Sequence, residues 1–350
     1  MLSGTEIKVT KVAKSRKDQV DFSNLAFGKN FTDHMLVARY AHGKWEAPEI
    51  VPYGPISFDP SLAAIHYGQS IFEGIKAFRM KGGETAVFRP DENLKRFNRS
   101  ALRMEMPEVP EEIFLGGMKA LLQVEDQWIP QQEDHALYIR PFMFATDQVI
   151  GVSPSLTYLF MIILSPVGPY YPKPMRIYVE EQFVRAVPGG VGFAKTAGNY
   201  AAALHPTAVA QQKGYDQVLW TDAFEHKYVQ ECGTMNVFFV VDGKVITPDL
   251  QSGTILHGVT RDSVIAVAKD QSWTVEQREI SVDELVEAYK KGVLTEAFGA
   301  GTAATIAKIE ELRYKDFVMK FDPAKMPVAD TIKQILTNIK DGAVADTYGW

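Results

Sequence analysis

Apolar positions along this chain follow two periods. Short runs rich in β-branched and aromatic residues predict strands at "HMLVARY" (34–40), "IKAFR" (75–79), "TAVFRP" (85–90), "HALYIRPFMFAT" (135–146) and "LTYLFMIIL" (156–164). The last of these is strongly apolar but far too short to span a bilayer, so it reads as a buried strand. Between them, "DENLKRFNRSALRME" (91–105) carries Leu94, Phe97 and Leu102 near helical spacing, with Asp91 placed to cap the helix after Pro90. A second helix is expected over 111–124.

"SPVGPYYPKP" (165–174) then holds four prolines in ten residues, which suits neither a helix nor a central strand and marks a domain boundary. Beyond it "MRIYVEE" and "DQVLWTD" read as strands, 199–213 as a helix, and "NVFFVVDGKVIT" as a hairpin turning at Asp242-Gly243. Helices are expected at 259–270, 282–291 and 329–340. "LTEAFGAGTAATIAKI" (294–309) predicts two strands joined at its Gly-Ala-Gly bend. The fold class is therefore α/β (α+β), in two parts with mixed sheets: a domain over 1–166, a linker over 167–176 and a domain over 177–350.

Composition narrows the possibilities. The chain has 350 residues, 46% hydrophobic and 23% charged, enough for a sizeable core. A net charge of -6 argues against nucleic acid as a partner but permits a small anionic substrate. A single cysteine, Cys232, excludes an intrachain disulfide and reads as a small buried packing residue. His34, His42, His66, His135, His205, His226 and His257 show no i, i+4 pairing, so no metal site is expected. The first 20 residues lack the apolar segment of a secretory signal, and Glu6 and Asp18 dilute the basic bias that a transit peptide needs. A cytoplasmic protein without membrane partners is the expectation.

"VPGGVGFAKTAGNYAAAL" (187–204) places Lys195 between glycines and a helix-like run. A lysine is costly to bury, so this one is either solvated or held where its amine reacts. Tyr200 lies five residues on. "YVQECGTMNVFFV" (228–240) puts Glu231 at a strand end, where it either faces solvent or bonds a protonated ring nitrogen. "ILHGVTRDSV" (255–264) opens a helix whose first N–H groups, at Val259 and Thr260, favour an anion. "AFGAGTAATI" (297–306) adds a tight turn of small residues with Thr302. Each feature alone could be structural. As a set they fit pyridoxal 5'-phosphate, which a protein holds through a Schiff-base lysine.

The stretches "FGKNFTDHM", "HYGQSIFEGIKAFR", "FRPDENLKRFNRSA", "YIRP", "GGVGFAKTAGNYAAAL", "ECGTMNVFF", "LHGVTRDS" and "GAGTAATI" follow one another in an order that resembles the branched-chain amino acid aminotransferases, fold-type IV pyridoxal-phosphate enzymes, over nearly the whole chain. The resemblance implies a small N-terminal α/β domain, a larger barrel-like α/β domain and a cofactor at their interface. It implies that Lys195 is the internal-aldimine lysine and the acid–base, that Tyr200 bonds the ring phenolate oxygen and that Glu231 keeps the pyridine nitrogen protonated. Arg96 would hold the phosphate, with Arg99 one turn away as the alternative, beside the Val259 and Thr260 N–H groups and the Thr302 hydroxyl. Phe27, Tyr67 and Tyr170 would form an apolar wall, Tyr138 and Arg140 would bind the distal carboxylate of glutamate, and Thr302 and Ala303 the α-carboxylate. The implied reaction is ping-pong transamination between leucine, isoleucine or valine and 2-oxoglutarate, by a homodimer in which the partner completes each pocket. Ala304 and Ala307 replace a Cys-x-x-Cys pair that some members carry, so a thiol switch is not expected. D-amino acid aminotransferase and aminodeoxychorismate lyase share the lysine and glutamate, but "YIRP" with "FGKNFTDHM" favours the branched-chain enzyme. A catalytically silent scaffold would be expected to have replaced Lys195, Glu231 or Arg96.

Overall fold

A computed structural model describes residues 7–132, 134–171 and 173–350. Pro172 of the expected linker and the first six residues of the basic N-terminal stretch thus lie outside the described residues. The backbone divides into two compact units. One comprises Met1–Tyr170, Ala194–Ala197 and Lys340–Trp350; the other comprises Tyr171–Phe193 and Gly198–Ile339. The single boundary expected from the prolines does not provide for the two short segments that join the first unit.

Among the described residues, the first unit is built on nine strands: β1 (Lys8–Val9), β2 (His34–Ala41), β3 (Lys44–Trp45), β4 (Glu49–Pro52), β5 (Ser70–Phe72), β6 (Ile75–Arg79), β7 (Thr85–Val87), β8 (Ala136–Ala145) and β9 (Tyr158–Val167). Their order is β1-β4-β2-β9-β8-β6-β7, with β3 on β2 and β5 on β8. Its α-helices are α1 (Ala63–Tyr67), α2 (Pro90–Arg103) and α3 (Gly117–Val124). Phe97 of α2, Phe114 before α3 and Phe160 of β9 meet with ring centroids 5.4–5.7 Å apart in the main core. Asp91 does not cap α2. Arg89, in a left-handed conformation, is the N-cap and Pro90 opens the helix, because proline disfavours a helical residue before it and suits the first helical position.

Two prolines sit inside central strands, one of them, Pro166, in the stretch expected to lie outside any strand. Pro166 lies in β9, paired with Leu137. Its ring nitrogen is on the edge where Leu164 O accepts from Thr32 N–H, and β2 pairs no further than Ile162 on that side, so no ladder bond is lost. Pro141 similarly faces the break between β5 and β6, where its carbonyl accepts from Glu73 N–H at 2.7 Å.

The second unit has strands β10 (Met175–Val179), β11 (Gln217–Thr221), β12 (Val229–Cys232), β13 (Met235–Val241), β14 (Lys244–Thr247), β15 (Val275–Gln277), β16 (Leu294–Gly301), β17 (Thr305–Tyr314) and β18 (Phe317–Lys320). Because β12 pairs with both β11 and β13, six strands close in a ring, β12-β11-β10-β17-β16-β13. The helices are α4 (Ala197–Gln212), α5 (Val259–Asp270), α6 (Val282–Lys290) and α7 (Pro327–Lys340). Asp242 and Gly243 turn the hairpin with positive φ at both, as its two-residue connection requires. The Gly-Ala-Gly stretch is not a bend: β16 runs through Gly301 and the turn falls at Thr302–Ala304. Its glycines serve packing instead, since a Cβ at Gly299 would lie 2.7 Å from Met235 Cε. Among the described residues no helix is long and apolar enough to cross a membrane.

Truncating the central aromatic contact with Phe160→Ala should cost about 3–5 kcal/mol. Chemical denaturation monitored by fluorescence would show this as a lower midpoint with an unchanged slope.

Candidate active site

In the first unit, Lys195 runs beside β5. Ile71 and Thr196 pair as an antiparallel bridge, Phe72 N–H donates to Lys195 O at 3.0 Å, and the Thr196 hydroxyl donates to Ser70 O at 2.8 Å. Lys195 N–H donates to Ser100 Oγ on α2 at 2.9 Å. These bonds fix the lysine backbone from two elements while its half-buried side chain lies with Nζ 5.0 Å from the Phe72 ring centre.

Arg96 and Ser100 face inward from α2, one turn apart. The Arg96 guanidinium grips Glu73 with two bonds of 2.7 and 2.8 Å, and Asn93 Nδ2 donates to the same carboxylate at 2.8 Å. Glu73 is fully buried. Burial pushes its carboxyl up, but the charge and hydrogen bonds of Arg96, the charge of Lys195 and the Asn93 bond outweigh that, leaving it below its ordinary 4.5. Arg99, the alternative to Arg96, is on the exposed side of the helix. Glu73 lay unread in "HYGQSIFEGIKAFR"; its only sequence signal is a carboxylate before a glycine at a strand break.

Tyr138 and Arg140 alternate on one face of β8. Arg140 Nη2 donates to Tyr138 Oη at 3.0 Å, and its guanidinium lies 4.6 Å from the same Phe72 ring that Lys195 approaches. The Arg140 Nε is buried with no hydrogen-bond partner. Phe27 packs edge-on against Tyr138 and Tyr170, at 4.9 and 4.7 Å. Burial, then the neighbouring Tyr138, pushes the Tyr170 phenol above its usual range, with Arg140 opposing. Gly74 is needed here because a Cβ would meet Tyr138 Oη at 2.2 Å. The structure thus brings Arg140 and Lys195 to Phe72, which the sequence reading missed, and links Arg140 through Tyr138 to Phe27 and Tyr170. Tyr67 stands apart on α1, 40% exposed beside His66.

In the second unit, Glu231 is buried at the end of β12. Its Oε1 accepts from Leu256 N–H at 2.6 Å, and Arg185 Nε lies 3.3 Å from Oε2. Arg185 also donates to the carbonyls of Thr254 and Gly192. A Cβ at Gly192 would sit 2.5 Å from Thr254 O, so this glycine lets backbone meet backbone. Val259 and Thr260 open α5 behind Gly258, whose missing side chain supplies no cap. Thr302 and Ala303 occupy the half-buried turn after β16, and Tyr200 is in the first turn of α4. Beside Glu231, burial and then the Glu231 charge push the Cys232 thiol up to about 12, which makes it inert at neutral pH.

Lys76 and Lys340 have lowered amines. Burial lowers Lys76 to about 8, with Asp134 opposing, and lowers Lys340 to about 7, helped by the nearby Lys76 charge. The Lys340 Nζ lies against Phe88 and Phe78, 4.7 and 5.8 Å from their ring centres.

The family described as amino-transferase class IV matches residues 70–312 of the chain. A probable branched-chain-amino-acid aminotransferase of Staphylococcus aureus (strain MRSA252) is 51% identical over 340 residues, covering 95% of this chain and 94% of that protein. Branched-chain-amino-acid aminotransferase 2 of Bacillus subtilis (strain 168) is 46% identical over 344 residues, covering 97% and 94%. Among solved structures, the branched-chain amino acid aminotransferase of Escherichia coli superimposes with a TM-score of 0.72 at 26% identity, over 91% of this chain and 97% of that one. A T.th. branched-chain amino acid aminotransferase, solved with pyridoxamine 5'-phosphate, gives 0.73 at 27%, over 89% and 97%. The chain therefore belongs to the class IV aminotransferases, in their branched-chain amino acid branch, with the two-domain fold-type IV architecture. It is an enzyme, and its activity is branched-chain amino acid transamination.

Glu73→Gln leaves Arg96 buried without its counter-ion and should cost about 3–5 kcal/mol at pH 7. A carboxyl held below its ordinary value stabilises above that value and loses the contribution as pH falls through the folded one. Denaturation between pH 7 and pH 3 should therefore show the gap to wild type narrowing below about pH 4.5.

Proposed function

We propose that the enzyme takes 2-oxoglutarate as amino acceptor in the same site that takes leucine, isoleucine and valine, by a ping-pong scheme. One observation carries this reading: the half-buried Arg140, whose buried Nε has no hydrogen-bond partner among the described residues, shares the Phe72 ring with Lys195. A guanidinium held by a phenol and a ring face, yet keeping a donor without an acceptor, suits a second carboxylate. The aromatic wall of Phe27, Tyr138 and Tyr170 suits a branched aliphatic arm.

The cofactor is pyridoxal 5'-phosphate, which supplies a carbonyl and an electron sink when bound. The residues fit it. Lys195 Nζ is the covalent attachment and moves the proton to and from the substrate Cα. Glu231, which accepts from the Leu256 N–H and has the Arg185 guanidinium 3.3 Å away, would face a protonated pyridine nitrogen. Tyr200 would donate to the ring oxygen. Arg96, already ordered by Glu73, the Val259 and Thr260 N–H groups at the start of α5, and the Thr302 hydroxyl would hold the phosphate. The Thr302–Ala303 turn would receive the substrate α-carboxylate.

The enzyme acts as a homodimer in this reading. Ile65 and Tyr67 of α1 and the loop residues Ile150, Val152 and Leu156 are 40–90% exposed. The loop is joined to α1 through the Leu62–Gln148 bridge and the Ala63 N–H to Asp147 O bond, which brings two segments with exposed apolar side chains together. Such a surface asks for a partner, and exposed Tyr67 is then available to the partner's pocket.

Arg140→Met should raise KM for 2-oxoglutarate by about 10- to 100-fold, the loss of a charged hydrogen-bond pair, with KM for L-leucine little changed. Equal effects on both would refute the assignment. Ile150→Asp with Leu156→Asp should convert a dimer to a monomer in size-exclusion chromatography with light scattering; a wild type that is already monomeric contradicts the dimer.

A further inference from the structure

We propose that Asn236 is a positioning residue that fixes the turn entering α5, an inference that rests on the phosphate role given to that turn above. Asn236 lies in β13 directly between Glu231 of β12 and Ala300 of β16. Its buried Nδ2 donates to Leu256 O at 2.9 Å, while Leu256 N–H donates to Glu231 Oε1 at 2.6 Å. Both backbone polar groups of Leu256 are thus taken by side chains of adjacent strands. Two residues on, a Cβ at Gly258 would sit 2.0 Å from Asn236 Oδ1. The Gly258 backbone, φ -75 and ψ 125, is open to any residue, so the glycine is required by space alone.

The turn is therefore held at two points. Glu231 and Asn236 clamp Leu256, and the Asn236 amide lies flush on Gly258, the residue that presents the Val259 and Thr260 N–H groups. Asn236 acts through the turn and is given no contact with the anion. An amide is the group this position needs. It must donate to a carbonyl, and a carboxylate would put negative charge beside an anion site. Glu231 thereby has two tasks, facing the ring nitrogen and anchoring the backbone that binds the phosphate.

Cofactor-free protein titrated with pyridoxal 5'-phosphate and, separately, with pyridoxal separates phosphate binding from ring binding, read by the absorbance of the bound species. Asn236→Ala should raise Kd for pyridoxal 5'-phosphate about tenfold, the scale of one hydrogen bond, and leave Kd for pyridoxal within about twofold. Gly258→Ala should weaken phosphate-dependent binding by itself. The double variant should be no worse than Gly258→Ala, because removing Oδ1 opens the space that the new methyl needs. If Asn236→Ala does not fold, Asn236→Asp, which loses the donor at nearly constant volume, carries the same expectation. Equal losses for the two compounds, no loss for the phosphorylated one, or additive losses in the double variant would overturn the positioning role while leaving the cofactor assignment intact. A wild type that binds neither compound overturns both.

Discussion

A charged group taken out of water must meet its counter-charge, and the buried Glu73–Arg96 pair is where that constraint organises the first unit. Glu73 follows β5 at a break in the sheet, where Pro141 has no N–H to offer and Gly74 leaves room for Tyr138. Satisfying the carboxylate orients α2 so that Arg96 and Asn93 face inward. Ser100, one turn on, is then in place to accept from Lys195 N–H. The lysine thus gains a fixed backbone. The pair is costly to desolvate, and its return is a defined geometry.

The second unit meets the same constraint with a different solution. Glu231 is buried with the Arg185 guanidinium 3.3 Å from one oxygen and the Leu256 N–H donating to the other, and Arg185 also donates to Thr254 O, so the 254–256 segment is held from both sides. The electrostatics of the carboxylate and the placement of the α5 N-terminus are one network. In the proposed site this carboxylate would face the pyridine nitrogen, whose protonation makes the ring an effective electron acceptor.

Much of this was legible in the sequence where local signals dominate. The helix expected at 259–270 is α5 to the residue, the strand expected at 75–79 is β6, and the Asp242-Gly243 turn carries the positive φ values its dipeptide promised. What could not be read depends on partners distant in the chain. Pro166 is tolerated in β9 because the pairing with β2 goes no further than Ile162. Gly192 and Gly299 answer to Thr254 and Met235 rather than to backbone torsion. Phe72, Glu73, Arg185 and Asn236 have ordinary local contexts, and their roles arise from the register of paired strands. The motifs that carry the family resemblance pointed to Lys195 and Glu231 but were silent on which residues pack around them.

The central claim is that Lys195, and no other amine, is the covalent attachment point. Lys76 at about 8 and Lys340 at about 7 are the chemical competitors, since a depressed amine is also a better nucleophile at neutral pH. Borohydride reduction of the protein loaded with pyridoxal 5'-phosphate, followed by peptide mass mapping, decides between them. The account predicts one phosphopyridoxyl group, on the peptide containing Lys195. Stoichiometric labelling at Lys76 or Lys340, with Lys195 unmodified, would contradict it.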